Sequence, residues 1–276
     1  MKNRIISSLA ISASLLLVPA AKADSVLEFL VKETRDPAGK TQPVLVKDGQ
    51  IMVKGAGGDE NLDFLYSRAQ ERLVIIDHHK RTFMPVDEQQ VNRIAQQTED
   101  VQPLLKGLGE QIGKLSPKQR DKWEQMLGGN ISLDKIAKAA EPQKPGSLVK
   151  TGMGKNVAGI ACQQMNLIQG TAPMAEVCLA DPASMNMSGD DYATIRSLFS
   201  FSERLATKTQ GLAGQFGVKI PNIAIREVAG IPIELRDLSG EDLGSMTLSR
   251  ILSTAVSPER MQIPNGYRAE QLTLWK

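Results

Sequence analysis

Hydrophobic and polar positions alternate with a period of two through much of this chain, and a period near 3.6 takes over in two stretches. Leu27, Phe29 and Val31 alternate with Glu28 and Lys32, the pattern of a half-buried strand. Val44-Leu45-Val46 and Ile51-Met52-Val53 flank Lys47-Asp48-Gly49-Gln50, and because Asp-Gly accepts positive φ a tight hairpin is predicted there. Gly55–Glu60 reads as a glycine-rich turn before the short run Leu62–Tyr66. Leu73–Ile76 and Thr82–Val86 form a further hairpin around Asp77-His78-His79-Lys80. Units of roughly ten residues with no helical pattern between them favour an antiparallel meander across this first part of the chain.

From Asp87 to Ala140 the pattern turns helical. Leu104, Leu108, Ile112 and Leu115 recur at three- and four-residue spacing and make one apolar stripe. Ser116-Pro117-Lys118-Gln119 reads as a helix start, with Ser as N-cap, Pro at the first helical position and Gln three residues after the cap. Trp123, Met126 and Leu127 supply that helix's apolar face, and Gly128-Gly129 ends it. Ile131–Ala140 is a further short helix, and Glu141-Pro142-Gln143-Lys144-Pro145-Gly146 is a linker by composition. Residues 88–145 therefore read as a helical insertion between two halves of a sheet.

Strands return at Leu148–Thr151, Val157–Ile168 and Ala175–Ala180, the last two divided by a turn at Gly170-Thr171-Ala172-Pro173. Ser188-Gly189-Asp190-Asp191 opens a long helix with acids in its first turn, where the helix dipole favours them. Tyr192, Ile195, Phe199, Leu205 and Leu212 mark its buried side. Ile223–Val228, Ile231–Leu238 and Leu243–Ala255 are strand-like, and Ile263-Pro264-Asn265-Gly266-Tyr267 reads as a turn. The fold class expected is α+β, built on an antiparallel sheet.

The first 23 residues change how the composition is read. Lys2 and Arg4 precede the apolar run Ile5–Val18, Pro19 breaks it, and Ala21-Lys22-Ala23 places a small-x-small site before Asp24, the layout of a secretory signal cleaved after Ala23. The run is shorter than the roughly 20 residues a membrane-spanning helix needs. An exported, periplasmic protein that does not span the membrane is expected. Losing Lys2, Arg4 and Lys22 turns the formal +2 of the full chain into −1 for residues 24–276. A near-neutral chain without basic runs carries no electrostatic footprint for nucleic acid.

Cys162 and Cys178 are the only two cysteines, and in an oxidising compartment they read as one disulfide. A hairpin centred on Gly170 would set them directly opposite each other in a non-hydrogen-bonded pair. Closing a loop of this size contributes roughly 3 kcal/mol in the chain-entropy model. His78 and His79 are the only histidines, adjacent in a predicted turn, and read as exposed polar residues rather than a base or metal ligands. Gly152-Met153-Gly154-Lys155-Asn156 lacks Walker spacing and reads as a tight hairpin turn. Asp190-Asp191 and Glu241-Asp242 are accounted for as helix start and loop, and no G-x-S-x-G elbow is present. Met174, Met185 and Met187 could ligate Cu(I), but methionine also fills cores poor in aromatics. No catalytic residue, metal site or cofactor is expected.

Four segments carry a resemblance: Ile76-Asp77-His78-His79-Lys80-Arg81-Thr82-Phe83, Val157-Ala158-Gly159-Ile160-Ala161-Cys162, Glu176-Val177-Cys178-Leu179-Ala180-Asp181 and Pro264-Asn265-Gly266-Tyr267. With these the chain resembles the periplasmic LolA/LolB-like group, nearest to an uncharacterised branch. The resemblance implies a single domain over residues 24–276, a curved antiparallel sheet forming an open half-barrel with helices on its concave side. Such a fold could hold an acyl chain of a lipid or lipoprotein, with Tyr192, Ile195, Phe199 and Leu205 as candidate ligand-facing residues. The alternative is a protein-interaction or envelope-maintenance module with a protein partner and no small ligand.

Overall fold

The computed structural model describes residues 24–33, 36–99, 111–112, 114–116, 118–119, 122–123, 146–208, 229–239 and 243–272. Among the described residues, twelve strands form one open, curved, mostly antiparallel sheet that does not close into a barrel. They are β1 (Ser25–Glu33), β2 (Asp36–Lys47), β3 (Gln50–Val53), β4 (Leu62–Ser67), β5 (Arg72–Asp77), β6 (Thr82–Val86), β7 (Gly146–Val157), β8 (Ile160–Gln169), β9 (Ala172–Ala180), β10 (Ile231–Asp237), β11 (Leu243–Ser253) and β12 (Arg268–Ala269). Two described helices accompany them, α1 (Glu88–Glu99) and α2 (Gly189–Lys208).

The order across the sheet is β12-β6-β5-β4-β3-β2-β1-β11-β10-β9-β8-β7. One meander, β1 to β6, runs outward from a central seam, and the other, β7 to β11, runs inward from the far edge to that seam, where β1 pairs with β11. The exception to antiparallel pairing is β12, which lies parallel to β6 at the edge. Asp48 and Gly49 turn β2 into β3 with φ of 47° and 74°, the positive values for which Asp-Gly is suited. The β5–β6 hairpin is closed by the Lys80 backbone N–H donating to the Asp77 carboxylate at 2.8 Å.

The sheet curls at its β7 end. β7 comes within 8 Å of β11 between Cα atoms although four places separate them in the sheet. A flat sheet would hold them roughly 19 Å apart at the usual strand spacing. The Lys155 ammonium of β7 reaches the Glu234 carboxylate of β10 at 2.6 and 2.8 Å, on the face that carries the cysteines. That face is therefore the concave one.

Alternation buries both faces of the first meander. Leu27, Phe29, Val46, Ile51 and Tyr66 point to the concave side, where α2 lies. Val26, Leu45, Met52, Leu65, Val74 and Ile76 point the other way, and Val256, Met261 and the partly buried Ile263 and Tyr267 pack onto them. The residues after β11 thus cover the convex face of β1 to β6.

Three expectations need correction. Gly152–Asn156 is no hairpin turn: it lies within β7, where the register against β8 shifts between Lys150 and Gly154. The glycines serve a bulge, and Gly152 takes φ +78° there. The turn falls at Ala158-Gly159, both at positive φ, so the predicted strand Val157–Ile168 is divided between β7 and β8. The cysteines are not directly opposite: the hairpin turns about Gly170-Thr171 rather than on Gly170, and a second register shift between Leu167 and Ile168 then pairs Cys162 with Ala180 and Cys178 with Gln164. The disulfide instead joins diagonal neighbours on one face, with Cα atoms 5.5 Å apart.

α1 begins the expected helical segment, and the Gln119 side chain accepts from both the Ser116 backbone N–H and its hydroxyl at 2.9 Å, which is one half of a capping box. Ile112 is buried and Trp123 exposed, whereas Leu104, Leu108, Met126, Leu127, Gly128-Gly129 and Ile131–Ala140 lie outside the described residues, as do Leu212, Ile223–Val228 and Glu241-Asp242.

Candidate functional site

The concave face is where the sequence places a binding site, and α2 occupies it. Ser188 starts the helix, its Oγ accepting from the Asp191 backbone N–H at 3.0 Å, and Asp190 and Asp191 sit in the first turn where the dipole favours acids. Of the four candidate ligand-facing residues, Ile195 and Leu205 are buried in the core, and Tyr192 and Phe199 are half-buried and packed against it. The structure does bring them together, as constituents of the protein's own core. Phe201, which sequence reasoning missed, is fully buried, with its ring centroid 5.5 Å from that of Tyr66 on β4. Its signal was present, since Ile195, Leu198, Phe201 and Leu205 follow helical spacing.

Polar contacts pin α2 along its whole length. The Ser25 hydroxyl donates to the Asp191 carboxylate at 2.7 Å, and Arg68 Nη2 donates to Asp190 at 2.8 Å. Midway, the Tyr66 and Ser197 hydroxyls share a hydrogen bond of 2.7 Å. Towards the C-terminus, Arg204 donates to Glu88 of α1 at 2.5 Å and to Glu71 at 2.9 Å, and Lys208 donates to Glu88 at 2.8 Å. Hydrogen bonds from Lys208 and then Arg204 hold the Glu88 carboxyl below its ordinary value. Burial pushes the Tyr66 hydroxyl and the Asp191 carboxyl up.

The disulfide lies beneath the same helix. Cys162 and Cys178 are both buried in the cluster that contains Met185, Ile195, Phe201 and Leu205. On the strands, Lys155 pairs opposite Cys162 and Glu234 opposite Cys178, so their ion pair spans the disulfide. The three methionines part company: Met185 is buried in this core and Met187 packs against it, while Met174 packs with Leu167 and Ala175 elsewhere.

The histidines behave differently from one another. His79 is exposed in the turn, as expected. His78 is not simply an exposed polar residue: its Nε2 donates to Asp63 at 2.7 Å, and its Nδ1 lies 2.8 Å from the Tyr267 hydroxyl. Asp63 is 2% exposed and also accepts from the Lys54 ammonium at 2.6 Å and the Gly55 N–H at 3.1 Å. A carboxylate buried this deeply requires a cation and full hydrogen bonding, and Lys54 with these donors supplies both. The network ties the ends of β3, β4 and β5 to the chain after β11. Asp77, beside His78 in sequence, pairs with Lys80.

The four resemblance segments therefore form two staples. His78 and Tyr267 join the first and last, and the disulfide joins the middle two. A polar cleft of about 500 Å³ opens elsewhere, at the outer ends of β1 to β3, lined by Glu33, Asp36, Lys40, Gln42, Lys54 and Glu60 among others. Its charged lining does not suit an acyl chain. Among the described residues no three His, Cys, Asp or Glu side chains are grouped to hold a metal ion, and no helix is long and apolar enough to cross a membrane.

No known protein family matches the chain, and no curated protein matches it. Among solved structures it is similar to the crystal structure of an uncharacterized conserved protein from Thermus thermophilus, with 6% identity over 91% of this chain and 92% of that one, at a TM-score of 0.37.

Proposed function

We propose that this chain is an exported, non-catalytic protein of the LolA/LolB-like half-barrel type that works as a protein-interaction or envelope-maintenance module. The observation that carries this reading is the filled concave face. α2 places Ile195, Phe201 and Leu205 where a carrier of this type would hold an acyl chain, and their burial is complete or nearly so. A ligand could enter only by displacing that apolar surface, at about 25 cal/mol per Å² exposed to water. The buried disulfide fits an oxidising compartment. Both ring nitrogens of His78 are engaged in the Asp63 and Tyr267 contacts, which supports a structural duty for the chain's one half-buried histidine.

One observation favours the second reading, a hydrophobic-ligand binder with α2 as a movable cover. The contacts along the rim of α2 are ionic or hydroxyl bonds at partly exposed positions such as Arg68, Asp190 and Arg204. Native mass spectrometry of the protein purified from periplasm, compared with the denatured protein, separates the two. The interaction-module reading expects the bare polypeptide mass in both. A reproducible excess of lipid size, lost on denaturation, would overturn it in favour of ligand binding.

A further inference from the structure

The start of β1 is held from three directions. The Asp24 carboxylate accepts from the Lys47 ammonium at 2.9 Å and from the Val256 backbone N–H at 2.7 Å, and the Asp24 carbonyl accepts from the Thr254 N–H at 3.2 Å. One residue on, the Ser25 hydroxyl donates to Asp191 at the N-terminus of α2. Asp191 is 6% exposed, and its carboxylate accepts from the uncharged Ser25 hydroxyl, with the Ser188 hydroxyl beside it on the Asp191 backbone N–H. Burial, with the nearby Asp24 and Asp190 carboxylates, pushes its carboxyl up. The neighbouring cations are engaged elsewhere, Lys47 with Asp24 and Arg68 with Asp190. Among the described residues, the corner thus holds a buried carboxylate with no cation of its own.

We propose that cleavage after Ala23 supplies that cation: the new α-ammonium of Asp24 opposes Asp191 and fastens the N-terminus of α2 to β1. In the uncleaved chain this nitrogen is a neutral amide. In the cleaved chain it carries a full charge one residue from Ser25, and consecutive Cα atoms are only about 3.8 Å apart. The reaction is hydrolysis of the Ala23–Asp24 peptide bond: the C–N bond breaks, water's oxygen completes the Ala23 carboxylate, and both of water's protons go to the Asp24 nitrogen, which becomes an ammonium. Processing then completes the attachment of the helix that fills the concave face. The proposal rests on the reading of residues 1–23 as an export signal.

The pairing is testable with defined N-termini. Protein beginning at Asp24 is compared with the same protein acetylated at its α-amine, each with Asp191 and with Asp191→Asn, by thermal unfolding at pH 7. Acetylation is expected to lower Tm by roughly 2 °C or more when Asp191 is present, since a domain of this size shifts by about that much per kcal/mol, and to leave the Asp191→Asn protein unchanged. Equal shifts in the two backgrounds, or no shift in either, would overturn the pairing. Should Asp191→Asn not fold, pH gives the second reading. An ammonium held by a carboxylate has a folded-state pKa above its unfolded value of about 7.7–8.0, so its contribution is complete below that value and fades as pH rises through the folded one. The Tm gap between free and acetylated protein should close towards pH 10; the charged groups around the amine are Asp24, Lys47, Asp48, Asp190, Arg68 and Asp191. A gap constant across that range would refute the proposal. The intact mass of protein recovered from periplasm tests the export reading separately: a start other than Asp24 would overturn cleavage at this site and leave the in vitro result standing.

Discussion

Replacing Phe201 with alanine probes whether α2 is part of the core. The side chain is fully buried against Tyr66, with the Arg204 guanidinium carbon 6.0 Å from its ring centre. Truncation removes about 100 Å³, and at about 24 cal/mol per Å³ of cavity the void alone accounts for roughly 2.4 kcal/mol if nothing collapses into it. Adding the lost transfer free energy brings the expectation to the 3–5 kcal/mol typical of buried Phe→Ala changes. For a domain of this size that corresponds to a Tm roughly 6–20 °C lower. The assay is urea unfolding followed by circular dichroism, with the midpoint falling and the slope m unchanged, because the same surface is exposed on unfolding. Half-buried Phe199→Ala serves as the internal comparison and should lose less than half as much. A loss below about 1 kcal/mol for Phe201→Ala, in the range of ordinary surface substitutions, would refute the assignment of α2 to the core.

Other consequences follow from single contacts. Cys162→Ser with Cys178→Ser opens a loop of sequence separation 16 and should cost roughly 3 kcal/mol, read from denaturant midpoints; unchanged midpoints would contradict a stabilising disulfide. Glu88 has a folded pKa below its ordinary value, so its pairing with Lys208 and Arg204 contributes above the unfolded pKa and is lost as pH falls through the folded one. Glu88→Gln should therefore flatten the acid side of a Tm-against-pH curve below about pH 4.5, while leaving its neutral-to-basic shape alone. A Cβ at Gly244 would stand 2.4 Å from the Lys32 backbone oxygen, which cannot yield as a side chain could, so Gly244→Ala should destabilise by about 1–3 kcal/mol in thermal melts.

Much of the sheet was legible because its signals are local. Alternation at Leu27, Phe29 and Val31 and the Asp48-Gly49 turn are complete within a few residues, and β1 to β6 follow from them. The errors arose where a local signal had two meanings or a partner lay far along the chain. Gly152 and Gly154 look like a turn in composition, yet they relax a bulge, and the weaker Ala158-Gly159 pair makes the turn. The register shift beside Ile168 and the exact centre of the turn leave no compositional trace, so the sequence pairs the cysteines correctly but misplaces Cys162 by two residues along its partner strand. His78 looked exposed because its environment is made by Asp63 and by Tyr267, which lies 189 residues away. The apolar face of α2 was readable, but whether it lines a cavity or fills one depends on how tightly the sheet curls towards it. That curl comes from strand pairing over the whole chain.

Hydrogen exchange of the α2 backbone amides, followed residue by residue at pH 7, tests the central claim most directly. If α2 fills the concave face as core, the amides around Ile195 to Leu205 exchange only by global unfolding, with the same protection and the same denaturant dependence as those of β3 and β4. If α2 instead opened as a cover over a ligand site, those amides would exchange through a separate, smaller opening while the strands stayed protected, and the claim would be contradicted.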